Sequence, residues 1–109
     1  MVELVKIDLA ADFSAHPFGR YPTHGPVNGE RFRKEHLVPA LQRADTVLVD
    51  IDGTTGLSSS FLDEAFAGLI RAGVLTREAF FTRVKIKSQR DPTYVEDIAE
   101  YVGEAELAH

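Results

Sequence analysis

The chain has 109 residues, enough for one domain and too few for two. With 44 % hydrophobic and 27 % charged residues, it is too apolar for a disordered chain and too charged for a membrane-embedded one. A formal charge of −5 argues against nucleic acid as the main partner, and the absence of cysteine excludes a disulfide scaffold, a thiolate metal site and a Cys nucleophile. No run approaches the roughly 18 apolar residues that span a bilayer. The first nine residues alternate charged and apolar side chains and lack the apolar stretch of a signal peptide, so the expected address is cytoplasmic, without a membrane partner.

Residues 2–9 read as a strand, with Val5, Ile7 and Leu9 on one face and Lys6 and Asp8 on the other. Between Phe13 and Gly29 the density of Pro and Gly forbids helix, although Gly19-Arg20-Tyr21 could pair back on the first strand. Asn28 caps a predicted helix over 29–43, in which Pro39 forces a kink or opens a second short helix. Residues 46–51 are nearly continuous in apolar β-branched side chains, as in a strand covered on both faces, and Gly53-Thr54-Thr55-Gly56-Leu57 is its exit loop. A helix over 58–71 follows, burying Phe61, Leu62, Ala65, Phe66, Leu69 and Ile70. Residues 76–80 suggest one more helical turn, and 81–88 a strand wet on one face. Asp91-Pro92 starts a last helix, with Tyr94, Val95, Ile98, Tyr101 and Val102 inward until Gly103; residues 104–109 form an expected frayed tail. Strands alternating with helices imply α/β, with a mixed sheet of about four strands, right-handed crossovers and helices packed on it.

Charge is distributed unevenly. Residues 71–90 hold six Lys/Arg against one acid, and residues 91–109 hold six acids and no Lys or Arg. Two solvated stretches that pair with one another, or a docking surface, would both account for this.

Three motifs carry candidate chemistry. Val49-Asp50-Ile51-Asp52-Gly53-Thr54 resembles the Asp-x-Asp-Gly-Thr loop of haloacid-dehalogenase-type phosphatases, where the first Asp is the nucleophile, the second the general acid, and Mg²⁺ binds the carboxylates. That reading is the remote alternative, using Asp50 and Asp52. The strand near Val84 runs into Lys87-Ser88-Gln89-Arg90 and supplies no later acidic pair. Ser58-Ser59-Ser60 stands where a strand's exit loop meets a helix start, so that one hydroxyl serves as cap and the others are free for docking or modification. With Ser58 as cap, Leu57 and Leu62 form a hydrophobic staple; with Ser60 as cap, Asp63 occupies the capping-box position. His16, His24, His36 and His109 match no metal spacing and read as surface or packing side chains.

Together, Phe18-Gly19-Arg20, Gly29-Glu30-Arg31-Phe32-Arg33, Leu37-x-Pro39, Val47-Leu48-Val49-Asp50-Ile51 and Leu57-Ser58-Ser59-Ser60-Phe61-Leu62-Asp63-Glu64-Ala65-Phe66 resemble the bacterial STAS-like domains of family DUF4325, over about residues 20–101 of a single domain spanning 1–109. The resemblance implies a relative of the anti-sigma-factor-antagonist STAS domains. In those, a strand leads into Asp-Ser-Ser-Gly at a helix start, and a histidine-kinase-like ATPase phosphorylates the second Ser. Laid on this chain, Ser58 takes the place of that Asp, Ser59 and Ser60 those of the serines, and Phe61 that of the Gly. The implied phosphoacceptors are Ser60, its closest equivalent, and Ser59.

The implied function is a non-enzymatic signal-transduction module docking such an ATPase, with no cofactor or metal. The implied partner face is Gly53, Thr54, Thr55, Gly56, Ser58, Ser59, Ser60 and the outer side of the following helix at Asp63, Glu64, Ala67 and Arg71. Arg20, Arg31 and Arg33 are read as solubilising residues or as ion-pair partners of Asp50 or Asp52. A scaffold or oligomerisation domain without phosphorylation, including a homodimer, is the alternative.

Overall fold

A computed structural model describes residues 2–107; the last two positions of the expected tail, His109 among them, lie outside these. Three strands, β1 (Val2–Asp8), β2 (Ala44–Asp50) and β3 (Val84–Lys87), form one sheet in the order β1-β2-β3, parallel throughout. The α/β class agrees with the sequence. Among the described residues, however, the sheet has three strands and no antiparallel member. The expected fourth piece, Gly19-Arg20-Tyr21, leaves β1 alone. Its carbonyls at Gly19 and Arg20 instead accept the N–H groups of Gly29 and Glu30, two of the unpaired donors at the next helix start.

Helix α1 covers residues 29–43 as three continuous segments, Gly29–Phe32, Arg33–Leu37 and Val38–Arg43. Asn28 caps it, accepting from the Arg31 N–H at 2.9 Å. The middle segment is a wide turn in which the Val38 N–H reaches back five residues to Arg33. Pro39 supplies the reason: it has no N–H for the Glu35 carbonyl, and its ring would collide with that carbonyl in a regular turn. The expected kink is thus absorbed as a widened turn. Helix α2 covers residues 59–71 as Ser59–Leu62, Asp63–Ala67 and Gly68–Arg71, again with a wide middle turn. Helix α3 (Arg77–Arg83) is longer than the single turn predicted and shortens β3 at its start, and α4 (Thr93–Glu104) closes the fold. The chain stays packed beyond the expected fraying point at Gly103: Ala105 is buried and its carbonyl accepts from the Arg77 guanidinium.

Two right-handed crossovers stepping in the same direction place both connections on one face of the sheet. Register sets Val5, Ile7, Val47, Val49, Val84 and Ile86 on that face, against Phe32, Leu37, Phe61, Phe66, Leu69 and Ile98. The other face carries Leu4, Lys6, Thr46, Leu48, Asp50, Lys85 and Lys87, so β2 is not fully covered on both sides as its apolar run suggested. Val95, predicted inward, is 39 % exposed.

Candidate functional site

The segment from Ile51 to Arg71 leaves the carboxyl end of β2 and is held at each step by a local polar contact. Asp50 accepts the Asp52 N–H at 2.9 Å, and its other oxygen faces Lys87 at 3.6 Å and Lys6 at 3.9 Å. Asp52 accepts the N–H groups of Gln89 and Arg90 at 2.7 and 3.0 Å, and its carbonyl accepts from the Arg90 guanidinium. Both carboxylates therefore close the end of the sheet, tying the exit loop of β2 to that of β3. Thr54 is buried because its hydroxyl donates to the Ile51 carbonyl at 2.7 Å. Thr55 is exposed; its N–H donates to Ala15 and its hydroxyl lies 2.7 Å from His16 Nδ1. Gly53, Thr55 and Gly56 form the accessible part of the loop, whereas Thr54 belongs to the interior.

Of the two caps the sequence allowed, Ser58 is the one used. Its hydroxyl accepts the Phe61 N–H at 3.2 Å, with Leu57 and Leu62 both buried as the staple. Ser60 is half-buried with its hydroxyl 3.2 Å from that of Ser58, while Ser59 is exposed. The face predicted for the outer side of the helix divides in two. Asp63 and Arg71 are half-buried at the surface, but Glu64 and Ala67 are buried, Ala67 completely. Helix α2 is covered by α1 on one flank and α4 on the other, so too little of its circumference remains free for the stripe the sequence suggested.

Of the three predicted arginines, Arg20 and Arg33 pair with α2, and none pairs with Asp50 or Asp52. Arg33 is buried and its Nη1 donates to both the Glu64 carboxylate and the Glu64 carbonyl, each at 2.6 Å. That carbonyl would ordinarily take the Gly68 N–H, which in the wide turn reaches back to Asp63 instead. Gly68 also leaves the room: a Cβ there would sit 2.1 Å from Arg33 Nη1. Arg20 Nη1 lies 2.6 Å from Asp63 and 3.6 Å from Glu64, and Arg71 reaches the same two carboxylates at 3.1 and 3.6 Å. The hydrogen bond it donates to Asp63 raises the Arg20 guanidinium above its ordinary range. Arg31 stays on the surface, paired with Glu35 and the Pro26 carbonyl.

Arg20, Ser59, Asp63, Arg71, Tyr101, Glu104 and Ala105 line an open cavity of about 340 Å³ beside the helix start. Tyr101 was readable only as an inward position of α4; nothing local to it signals its place beside Ser59. Burial raises its phenol above the ordinary value, and Asp97 adds to the shift, against the pull of a hydrogen bond with Ser59. The neutral phenol is the form the fold favours. Its contribution to stability is therefore complete below the unfolded value of about 10 and is lost as pH rises through the folded one. An ultraviolet titration of the protein minus that of Tyr101→Phe should isolate this phenol with a midpoint above about 10; a midpoint at or below that value would remove the burial argument.

Among the described residues the histidines serve structure. His24 Nδ1 accepts the N–H groups of Arg20 and Tyr21 at 3.1 and 3.2 Å, and His36 packs on the rings of Phe13 and Phe32. Among the described residues, no helix is long and apolar enough to cross a membrane.

A one-sided parallel α/β domain, whose central strand exits into a hydroxyl-rich helix start, is the class that fold and site define. The chain belongs to the family described as a STAS-like domain of unknown function (DUF4325), which matches residues 28–93. The matched span holds α1, β2, the exit loop, α2, α3 and β3, and so contains the serines together with Arg33, Glu64 and Gly68. No curated protein and no solved structure matches the chain.

Proposed function

We propose that this domain is a non-enzymatic regulatory module of the STAS kind, working in the cytoplasm by docking a histidine-kinase-like ATPase and switched by phosphorylation at the start of α2. Membership of the STAS-like family supports the interaction role. The docking face comprises Gly53, Thr55, Gly56, Ser58, Ser59 and Ser60, bounded by Asp63 and Arg71.

The observation that carries the switch is the difference between the serines. Ser58 is committed as the cap and Ser60 is half-buried against it, whereas Ser59 is exposed and opens on the cavity that Arg20 and Arg71 also line. A phosphate on Ser59 brings about −1.5 to −2 charges beside two guanidiniums now shared with Asp63, and competes with that carboxylate for them. Ser59 is thereby the favoured acceptor, although Ser60 is the closer equivalent by position.

The test is mass spectrometry of the protein affinity-purified from its native host, reading co-purifying chains and the peptide spanning Gly56–Arg71. A histidine-kinase-like ATPase together with phosphate on Ser59 is the expected result. Phosphate on Ser60 alone would overturn the choice of serine. The ATPase without phosphate would keep the docking face and remove the switch, and neither one at good coverage would sink the regulatory reading.

A further inference from the structure

Parallel sheets are ordinarily covered on both faces, yet here all the helices lie on one. The bare face is exposed and basic along β3. Lys6 and Lys87 share the single carboxylate of Asp50, and Lys85, which donates to the Phe81 carbonyl, has no acidic partner within 4 Å among the described residues. Asp8, at the end of β1 on the same face, is occupied in holding the next turn through the Ala11 N–H. Two apolar side chains of β1, Val2 and Leu4, are more than half exposed on the same face, beside Lys6 and across β2 from Lys85.

Beside β3, where Val95 and Lys85 line one groove, α4 turns Glu96, Glu100 and Glu104 outward as one ridge, flanked by the exposed Val95. Among the described residues no ion pair joins the basic stretch 71–90 to the acidic stretch that follows it. Arg71 pairs with Asp63 and Glu64, and Lys87 with Asp50. The two charged stretches thus do not neutralise one another within the molecule.

Their spacings agree. Glutamates four residues apart on a helix rise about 6 Å along the axis. Lysines two residues apart on a strand are separated by about 6.6 Å. Lys85 and Lys87 can therefore meet two successive glutamates of a helix laid along β3, with Val95 meeting the apolar side of the face.

From this we infer that the bare sheet face of one copy receives the acidic α4 ridge of a second copy, giving a salt-sensitive self-association. The ridge reaches the Ser59 cavity only at Glu104, and the variants below alter Glu96 and Glu100, so the test is separate from the phosphorylation reading.

Sedimentation velocity of the full chain over a wide concentration range tests it, at about 0.05 M and about 0.5 M NaCl, where the Debye length differs severalfold. The expected result is a mass that climbs with concentration at low salt and returns to monomer at high salt. Lys85→Glu with Lys87→Glu should be monomeric alone, as should Glu96→Lys with Glu100→Lys, and an equimolar mixture of the two should associate again. Lys85→Glu by itself, which leaves the Asp50 pairs in place, should weaken association and guards against a folding defect in the double variant. A wild-type chain monomeric at low salt would overturn the inference and leave the lysine face to an acidic partner of another kind. Association untouched by either reversal, or reversed chains that do not associate when mixed, would overturn it too.

Discussion

Glu64→Ala is expected to cost about 3–5 kcal/mol of folding stability, the loss found when one partner of a buried ion pair is removed. For a domain of this size that is a large share of a total of roughly 5–15 kcal/mol. Glu64 is 6 % exposed and its carboxylate faces three guanidiniums, those of Arg33 at 2.6 Å and of Arg20 and Arg71 at 3.6 Å each. Its removal leaves Arg33 charged and 7 % exposed, with only the residue-64 carbonyl as acceptor. Arg33→Ala should cost less, because Glu64 keeps two longer contacts with arginines nearer the surface.

The close approach at Gly68 makes the argument specific. Gly68→Ala should be severe in the native chain, where its methyl collides with Arg33, and mild in the Arg33→Ala background, where the guanidinium is gone. Urea unfolding of the two single variants and the double closes this cycle. Additive losses would show that the guanidinium moves aside freely and that the pair does not hold α1 to α2.

That pairing marks the boundary of what local sequence reveals. β2, the Asn28 cap and, as one of two alternatives, the Ser58 cap with its staple between Leu57 and Leu62 were legible because each depends on neighbours a few residues away. Arg33 and Glu64 lie 31 positions apart, and each sits where a charge on an amphipathic helix reads as a solvated face. Ala67 and Glu64 were assigned to the outside by the same periodicity. It assumes one wet side, and α2 is packed between α1 and α4. Burying a charged group is costly unless it is paired, so that information lies in tertiary contacts.

The two wide turns follow the same logic. Pro39 signalled a disturbance in α1, but whether the chain kinks or widens depends on what the displaced groups find. In α2 no proline is present, and the widened turn accompanies the engagement of the Glu64 carbonyl by a side chain from another helix. The candidate site was thus legible at its serines, whereas its arginine lining was not. Arg20 lies in an irregular segment whose path is set by hydrogen bonds from Gly29 and Glu30, 9 or more residues downstream, and by the His24 ring that holds its own N–H. No buried side-chain nitrogen or oxygen among the described residues lacks a partner, so the polar groups drawn inside are all answered.

Phe61 joins the core to the site, and Phe61→Ala is expected to cost about 3–5 kcal/mol by leaving a cavity. The ring is fully buried, 6.0 Å from Phe32 and 6.3 Å from Phe13, and Phe32 in turn meets Phe66. In the antagonist pattern that this segment resembles, the same position is Gly. Phe61→Gly brings the sequence nearer to that pattern, but here it should be worse than alanine by up to about 1 kcal/mol, since glycine also weakens the helix.

The site responds through the backbone. The Phe61 N–H donates to the Ser58 hydroxyl, so a ring that no longer anchors α2 loosens the cap and the turn presenting Ser59. Amide hydrogen exchange read along the chain should therefore show lost protection at Phe61 and Leu62, whose N–H groups bond to Ser58, beyond the global loss, while β2 follows only the global change. If all segments lose protection equally, the aromatic anchor stabilises the fold but does not position the serines. The serine segment would then be held by its own cap and by the arginine cluster at Asp63 and Glu64.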